Sequence, residues 1–387
     1  MGLSPDESAI LSQIPPKLPA LTEELITWAN QPSGSADTEG LARMSGLLRT
    51  SFGEIAGEEP EMVPLPIGSV PALRWRIRPE ASTQVFLGGH FDTVYPRDHP
   101  FQTCTRLSPD WLRGPGVADM KGGLLVLREA LRLFEQSSSA TSLGWELLLT
   151  PDEETGSLGS APLLEEAAKR NHFGIVVEPA LPSGAVTRER LGSATYHLLA
   201  NGQAAHVGRC FDQGRNAITT LSKAVVRLHQ WNEEPDIICN VGRFQADGPL
   251  NVVSVSANAS FNVRTSRPEG VDHLLQQLCD DLSEEQDVQL TWSGGWTRPP
   301  KGWTPPLEAL FHQASRCAND LELPLEWEDT GGCCDGNNLA AAGLPVLDNL
   351  GVRGGKIHSA EEFIDLPSLI DRAQLLALLL IRSTSGS

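Results

Sequence analysis

The sequence is poor in basic residues and has no long hydrophobic run. Its 387 residues include 30 Lys and Arg against 49 Asp and Glu, which gives a formal net charge of −19. A surface of this sign repels nucleic-acid backbones and anionic membrane surfaces, which argues against both as main partners. Nowhere do about 18 consecutive apolar residues occur, the length that a membrane-spanning helix needs. We therefore expect neither nucleic acid nor a membrane as a partner.

A secretory signal and a disulfide framework are also missing. The segment MGLSPDESAILSQIPPKL lacks a basic start followed by an apolar stretch. The seven cysteines are odd in number, Cys333 and Cys334 are adjacent, and no CxxC pair suggests a structural zinc site. We therefore expect reduced thiols and a cytoplasmic protein.

Internal repeats are absent, and so are biased tracts beyond a short serine loop at 137–139. Apolar residues make up 40% and charged residues 20%, the composition of a folded globular protein. The chain exceeds the usual size of about 100 to 200 residues per domain, so we expect two domains.

The order of apolar segments predicts the fold of the larger domain, which we assign to residues 1–190 and 300–387. Short apolar runs alternate with helical patterns, as is typical of an α/β domain with a largely parallel or mixed sheet. In chain order, the predicted elements are strand 84–88, helix 122–134, strand 145–150, helix 160–170, strand 173–177, strand 345–350 and helix 366–383.

The segment 191–299 has a different character. Alternating strands such as 194–200 and 256–264 flank helices at 216–230 and 270–283. The order β, α, several β, α, β predicts an inserted α+β domain whose sheet carries helices on one face.

Five short motifs carry residues suited to chemistry, and each follows a predicted strand or precedes a predicted helix. They are GGHFDT with His90 and Asp92, GPGVADMKGG with Asp119, PDEETGS with Glu153 and Glu154, VVEP with Glu178, and KIHSAE with His358. Ligand sites of open α/β sheets lie at the carboxyl ends of strands, so this placement favours one common site.

Taken singly, the motifs have plainer interpretations. His90 and Asp92 can be a surface polar pair, Asp119 a helix N-cap, residues 152–154 a solvated turn, and His358 a cap or surface residue. Together the motifs supply two imidazoles and three carboxylates, a set suited to two divalent cations about 3.5 to 4 Å apart. The five candidate ligands are His90, Asp119, Glu154, Glu178 and His358.

Two neighbours of these ligands complete the chemistry of amide hydrolysis. Glu153 is available to deprotonate a metal-bound water and then to deliver the proton to the leaving nitrogen. Asp92, two residues after His90 on an extended segment, can accept a hydrogen bond from the second ring nitrogen of this histidine.

In order and spacing, the motifs GHFDTVYP, GPGVADMKGG, PDEETGSLGS, VVEPA and GGKIHSAEEF resemble those of a known family of dizinc peptidases and deacylases. The family includes carboxypeptidase G, aminoacylase, acetylornithine deacetylase and succinyl-diaminopimelate desuccinylase. The resemblance covers nearly the whole chain and is strongest to carboxypeptidase G. It implies a zinc-peptidase-like catalytic domain and, at 191–299, a ferredoxin-like lid domain through which the chain forms a homodimer.

The resemblance also implies roles for the candidate ligands. Asp119 would bridge two zinc ions, His90 and Glu178 would complete one site, and Glu154 and His358 the other. A cis peptide would follow Asp119. Two Zn²⁺ per chain are expected, although this donor set also suits Co²⁺, Mn²⁺ or iron. Glu153 would be the general base, and Asp92 would hold His90.

Four residues of the lid match the family pattern. His206, in GQAAHVG, resembles a histidine that stabilises the oxyanion in the partner subunit's active site; the alternative is a structural loop histidine. Asn251 and Arg264, thirteen residues apart, resemble residues that bind the substrate's carbonyl and carboxylate. Arg298 resembles the arginine that binds the free carboxylate, for which a guanidinium fork is suited, or it is a surface arginine.

Three positions depart from the family pattern. Cys334 stands in a loop where relatives usually carry Ser or Thr, so it either lines the substrate pocket or is a small buried residue. Val207 enlarges the residue after His206. Ala185 replaces a lysine of carboxypeptidase G, with Arg188 and Arg190 nearby, which leaves selectivity for glutamate open.

The expected reaction is metal-dependent hydrolysis of an amide bond next to a free carboxylate. It would release a C-terminal amino acid from a peptide or remove the acyl group from an N-acyl amino acid, and the sequence does not choose between the two. One alternative is a metal-binding or interaction protein that has lost catalysis. The other is an aminopeptidase, which Arg298 disfavours because that substrate presents an amine.

Overall fold

The structure, a computed structural model, describes residues 2–383. Its helices are α1 (Pro5–Leu11), α2 (Leu18–Ala29), α3 (Thr38–Ala56), α4 (Gly123–Glu135), α5 (Ala161–Arg170), α6 (Ala217–Gln230), α7 (Val271–Gln286), α8 (Pro305–Asp320), α9 (Asp335–Ala341) and α10 (Ser368–Arg382). No helix in this part of the chain is long and apolar enough to cross a membrane.

The strands of residues 2–383 fall into four sheets. They are β1 (Glu61–Val63), β2 (Ala72–Ile77), β3 (Thr83–His90), β4 (Thr105–Arg106), β5 (Trp111–Arg113), β6 (Leu143–Thr150), β7 (Phe173–Val176), β8 (Val186–Arg190), β9 (Gly192–Asn201), β10 (Ile237–Ala246), β11 (Ser256–Thr265), β12 (Gln289–Arg298), β13 (Trp327–Thr330), β14 (Val346–Leu347), β15 (Gly354–Gly355) and β16 (Phe363–Asp365).

Two compact units divide the chain. The first comprises Met1–Glu189, Gly302–Thr330 and Cys334–Ser387, and the inserted unit comprises Arg190–Lys301 and Gly331–Cys333. The bounds 191–299 that the sequence suggests for the insert differ by one or two residues at each join and omit Gly331–Cys333. This short segment groups with the insert because Arg190 Nη1 donates to the Gly332 carbonyl at 2.9 Å and Arg264 Nη1 donates to the Gly331 carbonyl at 2.6 Å.

The largest sheet of the first unit has the strand order β1-β2-β6-β3-β7-β14. Strand β3 runs parallel to β6 and β7, and β14 runs parallel to β7, while β1 and β2 are antiparallel additions at one edge. Strand β6 is buried along its whole length, as is usual where both faces of a sheet are covered. The predicted mixed, largely parallel sheet is confirmed.

Helix α10 packs against α4 and against α8 in the first unit. Residues 375–381 of α10 (LLALLLI) are all buried, because a helix that is apolar on every side has no face suited to water. The predicted strand 345–350 is shorter than expected. Only Val346–Leu347 pairs with β7, Asp348 forms an isolated bridge with Thr187, and Asn349 has a φ of 63°.

A small antiparallel sheet of order β15-β16-β5-β4 completes the first unit near His358. Phe363 pairs with Arg113, and Ile364 pairs with Leu112. Because side chains alternate along a strand, Phe363 points away from the core, while the neighbouring Glu362 and Ile364 are buried.

The inserted unit has the element order β9-α6-β10-β11-α7-β12 and the strand order β10-β11-β9-β12, with antiparallel pairing throughout. One face of this sheet packs its apolar side chains, among them Tyr196, Leu198 and Phe261, against Leu221 of α6 and Leu275 of α7. The predicted ferredoxin-like α+β arrangement is confirmed.

Candidate active site

His90 ends β3 and is almost completely buried. Its Nδ1 lies 3.2 Å from Asp92 Oδ1, and its Nε2 lies 3.1 Å from Asp119 Oδ1. The two ring nitrogens therefore face carboxylates on opposite sides, which fixes the orientation of the imidazole.

Asp119 lies in an irregular turn, residues 117–122, that leads into α4, and its own backbone is not helical, with φ −116° and ψ 90°. The peptide bond to Met120 is cis, as the family resemblance implies. A Cβ at Gly123 would lie 2.0 Å from the carbonyl oxygen of Val177, so only glycine allows α4 to begin this close to the end of β7. This close approach places Asp119 beside Glu178, whose Oε1 lies 3.9 Å from His90 Nε2.

Glu153 and Glu154 follow β6 in a short 3-10 turn whose backbone is held by Asp92. The amides of Glu153 and Glu154 donate to the two oxygens of Asp92 at 3.2 Å each, and the hydroxyl of Ser35 donates to Oδ2 at 2.7 Å. Glu153 Oε2 lies 4.0 Å from His90 Nε2, and its side chain is only 10% exposed. Asp92 thus positions a histidine and an acidic turn at the same time.

His358 approaches the same carboxylates from the other side. It has a φ of 61°, and its Nε2 lies 3.2 Å from Asp119 Oδ2 and 3.2 Å from Glu154 Oε2. Its side chain is 51% exposed, in contrast to His90. Asp119 therefore directs one oxygen to each histidine.

The carboxylates determine the pKa values of both histidines. Hydrogen bonds with Asp119 and Glu154 raise the pKa of His358 to about 10. Burial lowers the pKa of His90, but hydrogen bonds with Asp119 and Asp92 outweigh it and hold the pKa well above its usual value. Burial raises the pKa of Asp119, yet hydrogen bonds from His358 and His90 bring it below its usual value. A site with this excess of negative charge is suited to cations.

The donor atoms of the site are chemically suited to two divalent cations. Ligand atoms of His90, Asp119 and Glu154 all lie within 4.8 Å of one another. Imidazoles and carboxylates are the ligands that zinc and its neighbours accept, and a carboxylate with an oxygen toward each histidine can serve two ions. Glu178 stands on the His90 side and Glu154 on the His358 side.

The four candidate residues of the inserted unit form two pairs within that unit. His206 forms an isolated β-bridge with Val252, and the amide of Val207 donates to the Asn251 carbonyl at 3.0 Å. His206 and Asn251 are therefore neighbours, and both are exposed. Arg264 of β11 and Arg298 of β12 both pair with Ser193 of the strand between them, β9. The two arginines therefore share one end of the sheet, with Arg298 buried and Arg264 half-buried.

The departures from the family pattern have local explanations. Cys334 is buried, and its sulfur accepts a hydrogen bond from the Gly336 amide at 3.3 Å as the N-cap of α9, which favours a structural role. Ala185 is buried as well. Arg188 donates to Asp329 Oδ1 at 2.8 Å, so its charge is already paired.

Sequence reasoning missed several residues that support the site. Ser35, from the loop before α3, gave no recognisable signal. Asp335 accepts hydrogen bonds from Thr150 at 3.4 Å and from Ser157, which flank the turn of Glu153 and Glu154. Glu362 lies within the quoted motif GGKIHSAEEF, and its alternation with Phe363 could have indicated an inward-facing carboxylate.

Comparisons with known proteins agree with these observations. The sequence profile of Peptidase family M20/M25/M40 matches residues 86–382. Carboxypeptidase G2 of Pseudomonas sp. (strain RS-16) is 26% identical over 378 residues, which cover 95% of this chain and 90% of the relative. A succinyl-diaminopimelate desuccinylase of Bordetella petrii is 30% identical over 320 residues, which cover 76% and 81%.

The fold has solved counterparts in the same family. A dinuclear metal binding peptidase from the M20 family of Bacillus subtilis superposes with a TM-score of 0.69 at 16% identity, over 96% of this chain and 99% of that one. The family resemblance seen in the sequence is therefore confirmed. This chain belongs to Peptidase family M20/M25/M40 and is a metal-dependent hydrolase.

Proposed function

We propose that this enzyme hydrolyses an amide bond next to a free carboxylate, using two divalent cations, zinc by preference. The observation that carries the proposal is the position of Asp119, with Oδ1 3.1 Å from Nε2 of His90 and Oδ2 3.2 Å from Nε2 of His358. His90 and Glu178 would hold one cation with Asp119, and Glu154 and His358 the other. Such a centre supplies Lewis-acid polarisation of a carbonyl oxygen and makes water a stronger acid.

Glu153 would transfer the proton during amide hydrolysis. Its carboxylate lies beside the proposed ligands, and the hydrogen bond from its amide to Asp92 holds its backbone in place. Glu153 Oε2 would take a proton from the attacking water and deliver it to the nitrogen that leaves the cleaved amide. Asp92 would keep His90 in the orientation and tautomer that leave Nε2 available.

The inserted unit would bind the substrate. We assign the free carboxylate to Arg298, with Arg264 and Asn251 assisting at the carboxylate and carbonyl, and oxyanion stabilisation to His206. Two guanidinium groups at the same end of one sheet support a carboxylate ligand. They also disfavour the aminopeptidase alternative, because an ammonium group would be repelled.

Release of a C-terminal amino acid and N-deacylation share this bond chemistry. The names of the two relatives, a carboxypeptidase and a desuccinylase, correspond to these two possibilities. Small peptides and N-acyl amino acids are therefore the proposed substrates. A cytoplasmic location is part of the proposal and is consistent with seven free cysteines.

We further propose a homodimer through the inserted unit. Strand β10 is an edge strand whose residues are mostly exposed. On α6, Ile218 and Val226 are 38% and 61% exposed and lie two turns apart on one face. An unpaired edge and an exposed apolar face on the same unit fit a second copy of the chain.

The test is metal content per chain together with hydrolysis of N-acetyl, N-benzoyl and peptide substrates, including an N-acyl glutamate. We expect about two metal ions, activity that chelation abolishes, and recovery with zinc or cobalt. Absence of both bound metal and turnover after reconstitution would contradict the proposal.

Glu153→Gln separates catalysis from binding. The variant should still bind metal, while kcat falls by about 10²- to 10⁴-fold, the usual contribution of a general base. If the wild type binds two metal ions but shows no hydrolysis, two explanations remain: the substrate panel lacks its substrate, or the chain is an interaction protein. Assays with other acyl groups distinguish the two explanations.

A further inference from the structure

Glu362 is a buried carboxylate that contacts the turn carrying Asp119. Its Oε1 accepts hydrogen bonds from the amides of Ala118 at 2.9 Å and Asp119 at 3.0 Å. Its Oε2 accepts from the amide of Gly116 at 3.1 Å and lies 2.8 Å from the hydroxyl of Tyr95. One side chain thus holds three backbone amides of a single turn, and it is only 1% exposed.

The same residue also connects to the loop of His358. The amide of Glu362 donates to the Ser359 carbonyl at 3.0 Å, and the hydroxyl of Tyr95 lies 2.8 Å from the same carbonyl oxygen. The Glu362 carbonyl accepts from the amide of Gly114 at 3.1 Å. Three chain segments therefore meet here: the one after His90, the turn of Asp119 and the loop of His358.

This arrangement bears on the spacing of the proposed ligands. Each carboxylate oxygen of Asp119 faces one of the two histidines, and this arrangement depends on the position of the Asp119 backbone. The backbone amide of Asp119 itself is bonded to Glu362, so a change at Glu362 is passed on directly to the position of the Asp119 carboxylate. Burying a further carboxylate beside acidic residues is costly unless its hydrogen bonds are complete, and here they are numerous.

We propose that Glu362 is a positioning residue that fixes Asp119 and the His358 loop at the spacing required for two cations. The proposal rests on the ligand set proposed above. Outer partners of metal ligands commonly contribute 10- to 100-fold in metal affinity, roughly the size of effect expected here.

The test is Glu362→Gln, with metal affinity measured by competition against a chromogenic chelator. Glutamine has one acceptor oxygen, and its NH₂ group would face backbone amides. We expect the affinity for at least one of the two ions to fall by about 10- to 100-fold, and the visible absorption of the Co²⁺-loaded protein to change, because these spectra report ligand geometry.

Glu146→Gln is the matched control. Glu146 is 3% exposed and accepts hydrogen bonds from Arg170 at 2.6 Å and from Asn171 at 3.0 Å, with no contact to the proposed ligands. This variant should lower the melting temperature and leave both metal affinities and the Co²⁺ spectrum unchanged. A purely structural role of Glu362 would make the two variants alike.

Three outcomes overturn the inference or its basis. If the folded Glu362→Gln protein binds both ions with wild-type affinity, Glu362 does not position the ligands. If that variant does not fold, Glu362→Asp, which keeps the charge but is one methylene shorter and so withdraws the carboxylate from the three amides, decides: an unchanged affinity contradicts the proposal. If the wild type itself fails to bind two ions, the proposed ligand set is wrong. Measurement of the wild type therefore distinguishes failure of the proposed function from failure of the inference about Glu362.

Discussion

The carboxylate of Asp92 contacts two parts of the proposed catalytic site, a histidine and the acidic turn. Its carboxylate faces Nδ1 of His90 and accepts the amides of Glu153 and Glu154, while Ser35 donates to it from a third segment. Its pairing with His90 follows from the sequence, since the two residues are two positions apart. Its contacts with the acidic turn are about 60 residues away and could not be predicted from spacing.

Arg298→Met tests carboxylate recognition. If Arg298 binds the free carboxylate, the variant should raise KM by about 10- to 100-fold, since a hydrogen bond to a charged group contributes about 1.5–3 kcal/mol. The measurement compares an N-acyl amino acid with its amide. The wild type should prefer the free acid, and the variant should lose that preference.

Arg188→Met is the control for Arg298. Arg188 is paired with Asp329, so its removal should leave KM within about threefold of the wild type. Retention of the acid preference in a folded Arg298→Met protein would instead assign carboxylate recognition elsewhere.

At the level of secondary structure, the glycine at the start of α4 has a testable role. Gly123→Ala adds a methyl group 2.0 Å from the Val177 carbonyl oxygen, so the helix or the strand end must move. We expect a loss of about 1–3 kcal/mol in the free energy of unfolding and weaker metal binding, because Asp119 and Glu178 adjoin the contact. Thermal unfolding and metal titration measure both effects.

The same substitution in α3 should have the opposite sign. Gly46 is exposed within that helix, and a Cβ there meets nothing within 4 Å. Gly46→Ala should therefore stabilise the protein by about 0.5–1 kcal/mol. A stabilising effect of Gly123→Ala would show that the close approach to Val177 is not needed.

Helices α1, α8 and α10 are joined by Arg382. Its Nε donates to Glu7 Oε1 at 2.8 Å, and its Nη1 donates to Asp320 Oδ2 at 2.6 Å. The hydrogen bond with Arg382 lowers the pKa of Glu7 from its usual 4.5 and that of Asp320 from 3.8 to about 2. A carboxyl group whose pKa is lower in the folded than in the unfolded state stabilises the folded state at pH values above its unfolded pKa. This contribution is lost as the pH falls through the folded pKa.

Arg382→Met should accordingly lower the melting temperature at pH 7. The difference from the wild type should begin to shrink below about pH 4.5 and disappear near pH 2, where Asp320 takes up its proton in the folded state. Melting curves at several pH values measure it. A difference that stays constant down to pH 2 would mean that packing of the arginine, rather than its charge, stabilises the helix ends.

The longest apolar elements were the easiest to predict. Strand β6 and helix α10 are buried along most of their length, and their hydrophobic runs stand out in the sequence. The sheet of β4, β5, β15 and β16 was not predicted, because its strands are only two or three residues long. Glu362 borders this sheet. Local alternation could indicate that its carboxylate faces inward, but its bond to the amide of Asp119 spans 243 positions and could not be predicted from spacing.

At the level of the whole molecule, the double variant Ile218→Asp and Val226→Asp tests the proposed dimer. Two charges on the exposed face of α6 should convert a dimer to a monomer, as measured by sedimentation or light scattering. If His206 acts in the partner subunit's site, kcat should fall with dissociation. Full activity of the monomer would exclude that role of His206 without excluding the dimer.

Ile67→Asp is the control for the dimer. Ile67 is 59% exposed on the first unit, outside the proposed interface, so the same change of chemistry should leave the oligomeric state unchanged. Wild-type protein that is monomeric at all concentrations would contradict the dimer directly.

The chain passes between the two units at four points, after residues 189, 301, 330 and 333. The segment Gly331–Cys333 is tied to the insert by Arg190 and Arg264, although it lies thirty residues beyond the end of the insert's main stretch. The insert is therefore not a single cassette. Exchanging it with that of a relative requires two segments to be moved together, and such segments would be expected to change together as the family diversifies.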